Sequence, residues 1–188
     1  MNFKTDNRSL KLATGLAKNT KNSITHQKVL HTLSHYPHPD VRKAVASNKN
    51  THQDTLHKLS DHTDSLNTWR VRRAVAIHKN THQDTLHKLS DDPHKNVLIA
   101  VAYHNNTHQD TLHKLASDPL DFVREAVAGN KNTRQDTLHK LSDDRYWSVR
   151  RMVAEHNNTH KDTLHKLASD FHKDVRKAAK QRLAQLTR

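Results

Sequence analysis

The chain has 188 residues, of which 32% are hydrophobic, no cysteine and a formal net charge of +13. The absence of cysteine excludes disulfides, thiolate metal sites and cysteine nucleophiles. No stretch approaches the roughly 18 apolar residues of a membrane span. The N-terminal residues also lack the apolar region of a secretion signal. We therefore predict a cytoplasmic protein with no membrane segment.

The string THQDTLHKLS recurs along the chain with small variations. Its copies begin at Thr25, Thr51, Thr81, Thr107, Thr133 and Thr159, and they are 26 residues apart except for one interval of 30. A repeat of this period is typical of a solenoid, in which each unit buries its apolar face against its neighbours. We predict one all-α solenoid domain over 1–188. It comprises a half-repeat cap over 1–24, six two-helix repeats over 25–172 and a capping helix over 173–188.

Each copy predicts a short first helix. In the fourth copy, Thr107 is placed to cap the helix N-terminus, with Asp110 three residues later in a position like that of a capping box. Leu112 and Leu115 then fall on one side and form a narrow apolar stripe.

A second short helix is predicted in the other half of each copy. In the fourth copy Val123 and Val127 lie on one helical face. Ala128 lies on the far side, where a small residue allows a neighbouring helix to approach closely. Asn130 closes the copy, because Asn tolerates the left-handed conformation that commonly ends a helix. The four extra residues of the second copy lie within 61–69, which predicts a loop between its two helices.

Four strings in these second halves resemble the leucine-rich repeat variant family, an α-solenoid similar to HEAT arrays. They are VRKAVASN from Val41, VRRAVAIH from Val71, VREAVAGN from Val123 and VRRMVAEH from Val149, each followed by Thr and the paired leucines. The resemblance covers roughly residues 12–180. It implies short alternating helices, some of the 3₁₀ kind, wound into a right-handed superhelix. The family's Pro after Thr is His or Arg here. The family has no common active site, so no residue role is carried over.

Charge is distributed unevenly over the repeat. The second helices sum to +8, whereas the turns that join first to second helices sum to −7. A basic face of this kind is typical of proteins that bind nucleic acid through its phosphates, and tryptophans beside it can stack on bases. The predicted binding residues are Arg42, Lys43, Trp69, Arg70, Arg72, Arg73, Arg124, Trp147, Arg150, Arg151, Arg176 and Lys177.

Other interpretations of these residues stay open. The Arg after each second-helix Val belongs to the family's repeat pattern, so its stem can cover the neighbouring helix while its guanidinium binds an Asp of the adjacent turn. Each Trp can simply pack a loop. The same face can also serve as a scaffold for an acidic protein or peptide.

Enzymatic activity is not predicted. The chain has two glycines and no nucleophile elbow, phosphate-binding glycine loop or HExxH motif. A HEAT-like DNA glycosylase that depends on Trp147 or Asp144 is a remote alternative. We predict a monomeric, non-catalytic scaffold with no cofactor and no small-molecule substrate.

Eleven of the nineteen histidines form two rows: one follows the Thr of every copy but the fifth, and the other lies five residues further on, usually before a Lys. A zinc site needs three or four converging ligands, and parallel rows diverge. The sequence therefore predicts surface histidines and no metal site. Their protonation between about pH 7 and pH 5.5 predicts that affinity for a polyanion rises over this interval.

Overall fold

The computed structural model describes residues 7–20, 24–61 and 68–187. Over these ranges it contains α-helices, with no strand and no separate 3₁₀ helix. In chain order the helices are α1 (Asn7–Asn19), α2 (Ile24–Ser34), α3 (Pro39–Ser47), α4 (Gln53–Leu59), α5 (Trp69–Ile77), α6 (Gln83–Leu89), α7 (Lys95–Tyr103), α8 (Gln109–Leu115), α9 (Asp121–Gly129), α10 (Gln135–Leu141), α11 (Trp147–Glu155), α12 (Lys161–Leu167) and α13 (Lys173–Leu186). The predicted all-α class is confirmed. Most of the predicted loop over 61–69 lies outside the described residues.

The helices alternate between two kinds, as the repeat predicts. The first helices from α4 to α12 have 7 residues each, and the second helices from α3 to α11 have 9. Isolated helices shorter than about 12 residues are marginal in water. Stacking of the repeats must therefore supply their stability.

The core consists of the residues that the periodicity selects. In the second copy Leu56 and Leu59 of α4 and Val71 and Val75 of α5 are all fully buried. Burying each of these side chains stabilises the fold by about 1.5 to 3 kcal/mol. The far-side alanines are fully buried as well, as the prediction of close helix approach requires. These alanines are Ala46, Ala76, Ala102, Ala128 and Ala154.

The chain divides into two compact units. Unit one comprises Met1–Ala100 and unit two comprises Val101–Arg188. In unit one α3 packs against α1 and α5, and α2 packs against α4. In unit two α11 packs against α9 and α13, and α10 and α12 each contact α11. The single continuous domain and the handedness of the superhelix stay predictions.

The first helices are not capped by the residue that the sequence predicts. In the fourth copy His108 is the N-cap, and its Nδ1 accepts a hydrogen bond from the backbone N–H of Asp110 at 3.3 Å. The hydroxyl of Thr107 instead donates to the carbonyl of Val101 at 2.6 Å and satisfies the end of the preceding helix. The prediction for Thr107 was wrong because this buried Thr closes α7. The exposed His108, which follows it, then begins α8.

The closing turns also differ from the prediction. Asn130 has an extended backbone, with φ −75° and ψ 117°, and no residue with positive φ occurs in the described ranges. Its amide donates to the carbonyls of Ala102 at 2.6 Å and His104 at 3.1 Å in the preceding closing turn. His156 occupies the equivalent place one repeat later, and its Nε2 lies 2.9 Å from the carbonyl oxygen of Asn130. These side chains therefore join successive repeats.

Candidate polyanion-binding surface

Two consecutive positions of the second helices carry most of the predicted site. We call the arginines directly after the second-helix Val the inner arginines, and the residue that follows each Val by two the outer position. The inner arginines are Arg42, Arg72, Arg124, Arg150 and Arg176. The outer positions hold Lys43, Arg73, Ile99, Glu125, Arg151 and Lys177.

Three inner arginines bind an Asp of the next repeat. In unit one Arg72 and Asp92 form two hydrogen bonds, of 2.5 Å from Nε and 3.2 Å from Nη2, with 7% and 2% of their side chains exposed. A bidentate pair of this kind is geometrically specific and strong. The carboxylate of Asp92 also accepts a hydrogen bond from the backbone N–H of His94 at 2.8 Å.

The same pair occurs twice in unit two. Arg124 binds Asp144 at 2.5 and 3.0 Å, and Arg150 binds Asp170 at 2.6 and 2.9 Å. Burial raises the pKa of Asp144, but the hydrogen bonds and charge of Arg124 and the backbone N–H of Tyr146 outweigh it, and the net pKa is lowered. The pKa of Asp170 is lowered for the same reasons, with Arg150 as partner. Asp144 therefore has a structural role, and the glycosylase hypothesis gains no support from it.

The remaining two inner arginines bind backbone carbonyls of the turn directly before their own helix. Arg42 donates to the carbonyls of Tyr36 at 2.9 Å and Pro37 at 2.7 Å. Arg176 donates to the backbone carbonyls of Asp170 at 2.7 Å and Phe171 at 2.9 Å. These contacts favour the interpretation in which the inner arginines stabilise the repeats, and their part in ligand binding stays a prediction. The inner arginines join and close repeats inside the fold, because Asp carboxylates and turn carbonyls bind their guanidinium groups.

The outer positions of unit one remain available to a ligand. Lys43 and Arg73 are exposed, and so is Arg70 of α5. Two further lysines extend this region, because α1 packs against α3. Lys11 and Lys18 line a groove of about 540 Å³ together with Lys43 and the carboxylate of Asp40. Sequence reasoning missed these two lysines. We call the exposed side chains of Lys11, Lys18, Lys43, Arg70 and Arg73 the basic surface of unit one.

In unit two the outer positions carry mixed charge. Glu125 replaces the basic residue in α9. Arg151 forms an ion pair with Glu155 of the same helix at 3.4 Å. Lys177 is exposed. The predicted basic row is thus interrupted in unit two, and its uncompensated charge lies mainly in unit one.

The two predicted tryptophans stack on histidines. The rings of Trp69 and His94 are parallel within 4° with centroids 4.0 Å apart, and those of Trp147 and His172 are parallel within 10° at 4.1 Å. The Arg70 guanidinium lies 5.5 Å from the Trp69 ring centroid. These contacts fit the interpretation in which each Trp packs against the next turn.

The histidines contribute to local structure. His57 Nδ1 lies 2.9 Å from the Thr85 hydroxyl of the next first helix. Among the residues that the structure describes, no three His, Asp or Glu side chains come together as metal ligands. No helix in the described ranges has the length and apolarity to cross a membrane. The rise in polyanion affinity at acidic pH stays a prediction.

The stacked two-helix units define an all-α helical-repeat protein. No known family description matches the chain, and no curated protein sequence matches it. Solved structures similar to it include a leucine-rich repeat variant with a novel repetitive structural motif, at 22% identity and a TM-score of 0.39 over 94% of this chain and 84% of that one. The resemblance recognised in the sequence is confirmed to this extent.

Designed repeat proteins are similar as well. One is a computationally designed armadillo repeat protein for modular peptide recognition, at 19% identity and a TM-score of 0.41 over 95% of this chain and 94% of that one. Another is a designed armadillo repeat protein in complex with the peptide (KR)4, at 18% identity and a TM-score of 0.41 over 94% and 91%. Identities and TM-scores are low, so the fold assignment depends on this chain's own helices.

Proposed function

We propose that this chain is a non-catalytic repeat scaffold that binds a polyanion, best matched by the backbone of a nucleic acid, through the basic surface of unit one. The observation that carries the proposal is the contrast between inner and outer positions. The inner arginines are occupied inside the fold, whereas Lys43, Arg70 and Arg73 extend into solvent, and no acidic side chain forms an ion pair with them in the described part of the chain.

The cations of the basic surface lie on helices that pack against one another, α1 on α3 and α3 on α5. Stacked helices lie about 8 to 10 Å apart, so α1, α3 and α5 present their cations in a row. Neutralising several phosphates releases condensed counterions, which gives affinity without sequence preference and a strong dependence on salt. An acidic protein or peptide is the second candidate for the same surface, since electrostatic complementarity alone does not distinguish the two.

Charge reversal at matched outer positions tests the proposal. The first variant carries Lys43→Glu and Arg73→Glu in unit one. The control carries Arg151→Glu and Lys177→Glu at the equivalent positions of unit two. The two variants have the same net charge, so a difference between them reports location. Binding is measured by the fluorescence anisotropy of labelled single-stranded and duplex DNA at about 0.1 M salt.

We expect the unit-one variant to lose at least about tenfold in affinity and the control to lose much less. Equal losses in both variants would mean that net charge alone drives binding and would overturn the proposed site. If wild-type protein binds polyglutamate but neither form of DNA, the acidic-protein candidate replaces nucleic acid.

A further inference from the structure

Unit two exposes a row of large apolar side chains where its second helices begin. We call this row the aromatic edge. Its members, with their exposed fractions, are Leu120 at 38%, Phe122 at 58%, Tyr146 at 41%, Trp147 at 42% and Phe171 at 102%. They lie at or near the N-terminal ends of α9, α11 and α13.

Two half-buried ion pairs bring these three helix ends together. Arg124 of α9 binds Asp144, which lies just before α11, and Arg150 of α11 binds Asp170, which lies just before α13. Trp147 also stacks on His172, the N-cap of α13. The aromatic edge is therefore a preorganised surface, and ordering it costs a partner little.

The fold does not need the most exposed members of this edge. Phe171 contributes nothing to the core at full exposure. The equivalent turn position holds Pro93, Pro119 or Arg145 in other repeats, so the repeat architecture does not require an aromatic residue there. Contiguous exposed apolar side chains of this size mark interaction sites more often than single ones do.

The charges beside the edge favour a protein over a nucleic acid. Asp144 and Asp170 are paired with Arg124 and Arg150, and the other charges are mixed. Arg145 and Lys173 are exposed and basic, whereas the half-buried Asp121 and Asp174 are acidic. Such a surface lacks the concentrated positive charge that phosphate binding requires. Aromatic residues and arginine are the side chains enriched at the energetic centres of protein interfaces.

Arg145 indicates what the partner must supply. Its guanidinium lies 5.0 Å from the ring centroid of Tyr146. The carboxylates of Asp144 and Asp143, which precede it in the chain, form ion pairs with Arg124 and Lys166. A cation held over an aromatic ring at the rim of an apolar patch is complementary to a carboxylate. The aromatic residues around it are complementary to apolar side chains.

We propose that the aromatic edge binds a protein segment that places apolar side chains against Phe122, Tyr146 and Phe171 and a carboxylate against Arg145. This inference is independent of the proposed polyanion function, because it concerns unit two and different residues. The two surfaces would let one chain hold a polyanion and a protein.

Selection from a random peptide display library on the full wild-type chain provides the probe. The affinity of the selected peptides is then measured for the wild type and three variants. The first variant carries Tyr146→Ser with Phe171→Ser, and the second carries Arg145→Glu. The control is Ile77→Ser, which removes an apolar side chain of unit one that is 54% exposed. Circular dichroism confirms that each variant folds, as expected for exposed positions.

We expect selected peptides to combine apolar residues with Asp or Glu. The double variant and Arg145→Glu should each weaken them at least about tenfold, and Ile77→Ser should not. Peptides that bind all variants equally would overturn the proposal. Dimerisation of the wild type that the double variant abolishes would also overturn it, because the edge would then bind a second copy. Displacement of the peptides by single-stranded DNA would overturn it as well. The double variant should retain the DNA affinity of the wild type, so failure here is distinguishable from failure of the proposed polyanion function.

Discussion

Replacing His156 with Asn tests whether the closing-turn histidines make stability depend on pH. His156 is 8% exposed, and both of its ring nitrogens have partners. Nδ1 accepts the backbone N–H of Asn158 at 3.0 Å, and Nε2 lies 2.9 Å from the carbonyl of Asn130. A proton on Nδ1 would face a donor and break the first bond. One repeat earlier Asn130 makes the equivalent two contacts, to the carbonyl of His104 and the backbone N–H of Asn132, so Asn is a matched replacement that does not titrate.

The direction of the pH dependence of stability follows from the pKa of His156. Burial lowers the pKa of His156, the hydrogen bond to Asn130 opposes this, and the charge of Arg182 lowers it further. The unfolded chain therefore takes up this proton first as the pH falls below about 6.5. The contribution of neutral His156 is complete above that pH and is lost as the pH falls toward the lowered folded value. The largest possible slope for one proton is about 1.4 kcal/mol per pH unit.

Urea unfolding of the wild type and His156→Asn near pH 7.5 and pH 5.5 measures the effect. We expect similar free energies of unfolding at the higher pH. At the lower pH the variant should be more stable by up to about 1.4 kcal/mol. His160→Asn is the control, because the exposed His160 faces Asp162 at 3.3 Å and Asn is also a good N-cap. A difference between wild type and His156→Asn that does not change with pH would refute the reasoning.

Two further predictions concern stability and can be checked by the same urea unfolding. Asp144→Asn should cost about 3 to 5 kcal/mol, because it leaves the charge of Arg124 buried without its partner. Asp143→Asn, which breaks only an exposed pair, should cost less than about 1 kcal/mol. Arg134→His should stabilise the chain by about 0.5 to 1 kcal/mol, because α10 is the one first helix from α4 to α12 without a side-chain N-cap bond. No gain would mean that Asp136, which accepts the backbone N–H of Thr137, already replaces the cap.

Periodicity was sufficient to predict the helices and their core. Leu56 and Leu59, and their equivalents from the third copy to the sixth, are the buried residues that an i, i+3 pattern selects. Caps could not be predicted in the same way. Thr107 and His108 are adjacent and both able to accept a backbone hydrogen bond, and only the end of the preceding helix decides which of them does so.

The binding face required knowledge of tertiary contacts. Arg72, Arg124 and Arg150 each bind an Asp that lies 20 residues later in the sequence, in the next repeat. This constant separation is visible in the sequence, and it could have indicated that these charges cancel. Lys11 and Lys18 belong to the basic surface because α1 packs against α3. The sequence alone identified the region of α1 only as a half-repeat and did not predict this packing.

The two consecutive positions of the second helices have different roles. Inner arginines stabilise the turns, and the outer positions vary from Lys43 and Arg73 to Ile99 and Glu125. Exposed positions can vary without destabilising the stack, since surface substitutions usually change stability by less than about 0.5 kcal/mol. Specificity is therefore expected in the outer positions.

The salt dependence of DNA affinity is the most direct test of the central claim that the basic surface of unit one neutralises backbone phosphates. The dissociation constant for duplex DNA is measured over a range of salt concentrations for the wild type and for Lys43→Gln with Arg73→Gln. Each lost phosphate contact should reduce the slope of log affinity against log salt by about 0.9. We predict a decrease of about 1.8 for the double variant. An unchanged slope would contradict the account.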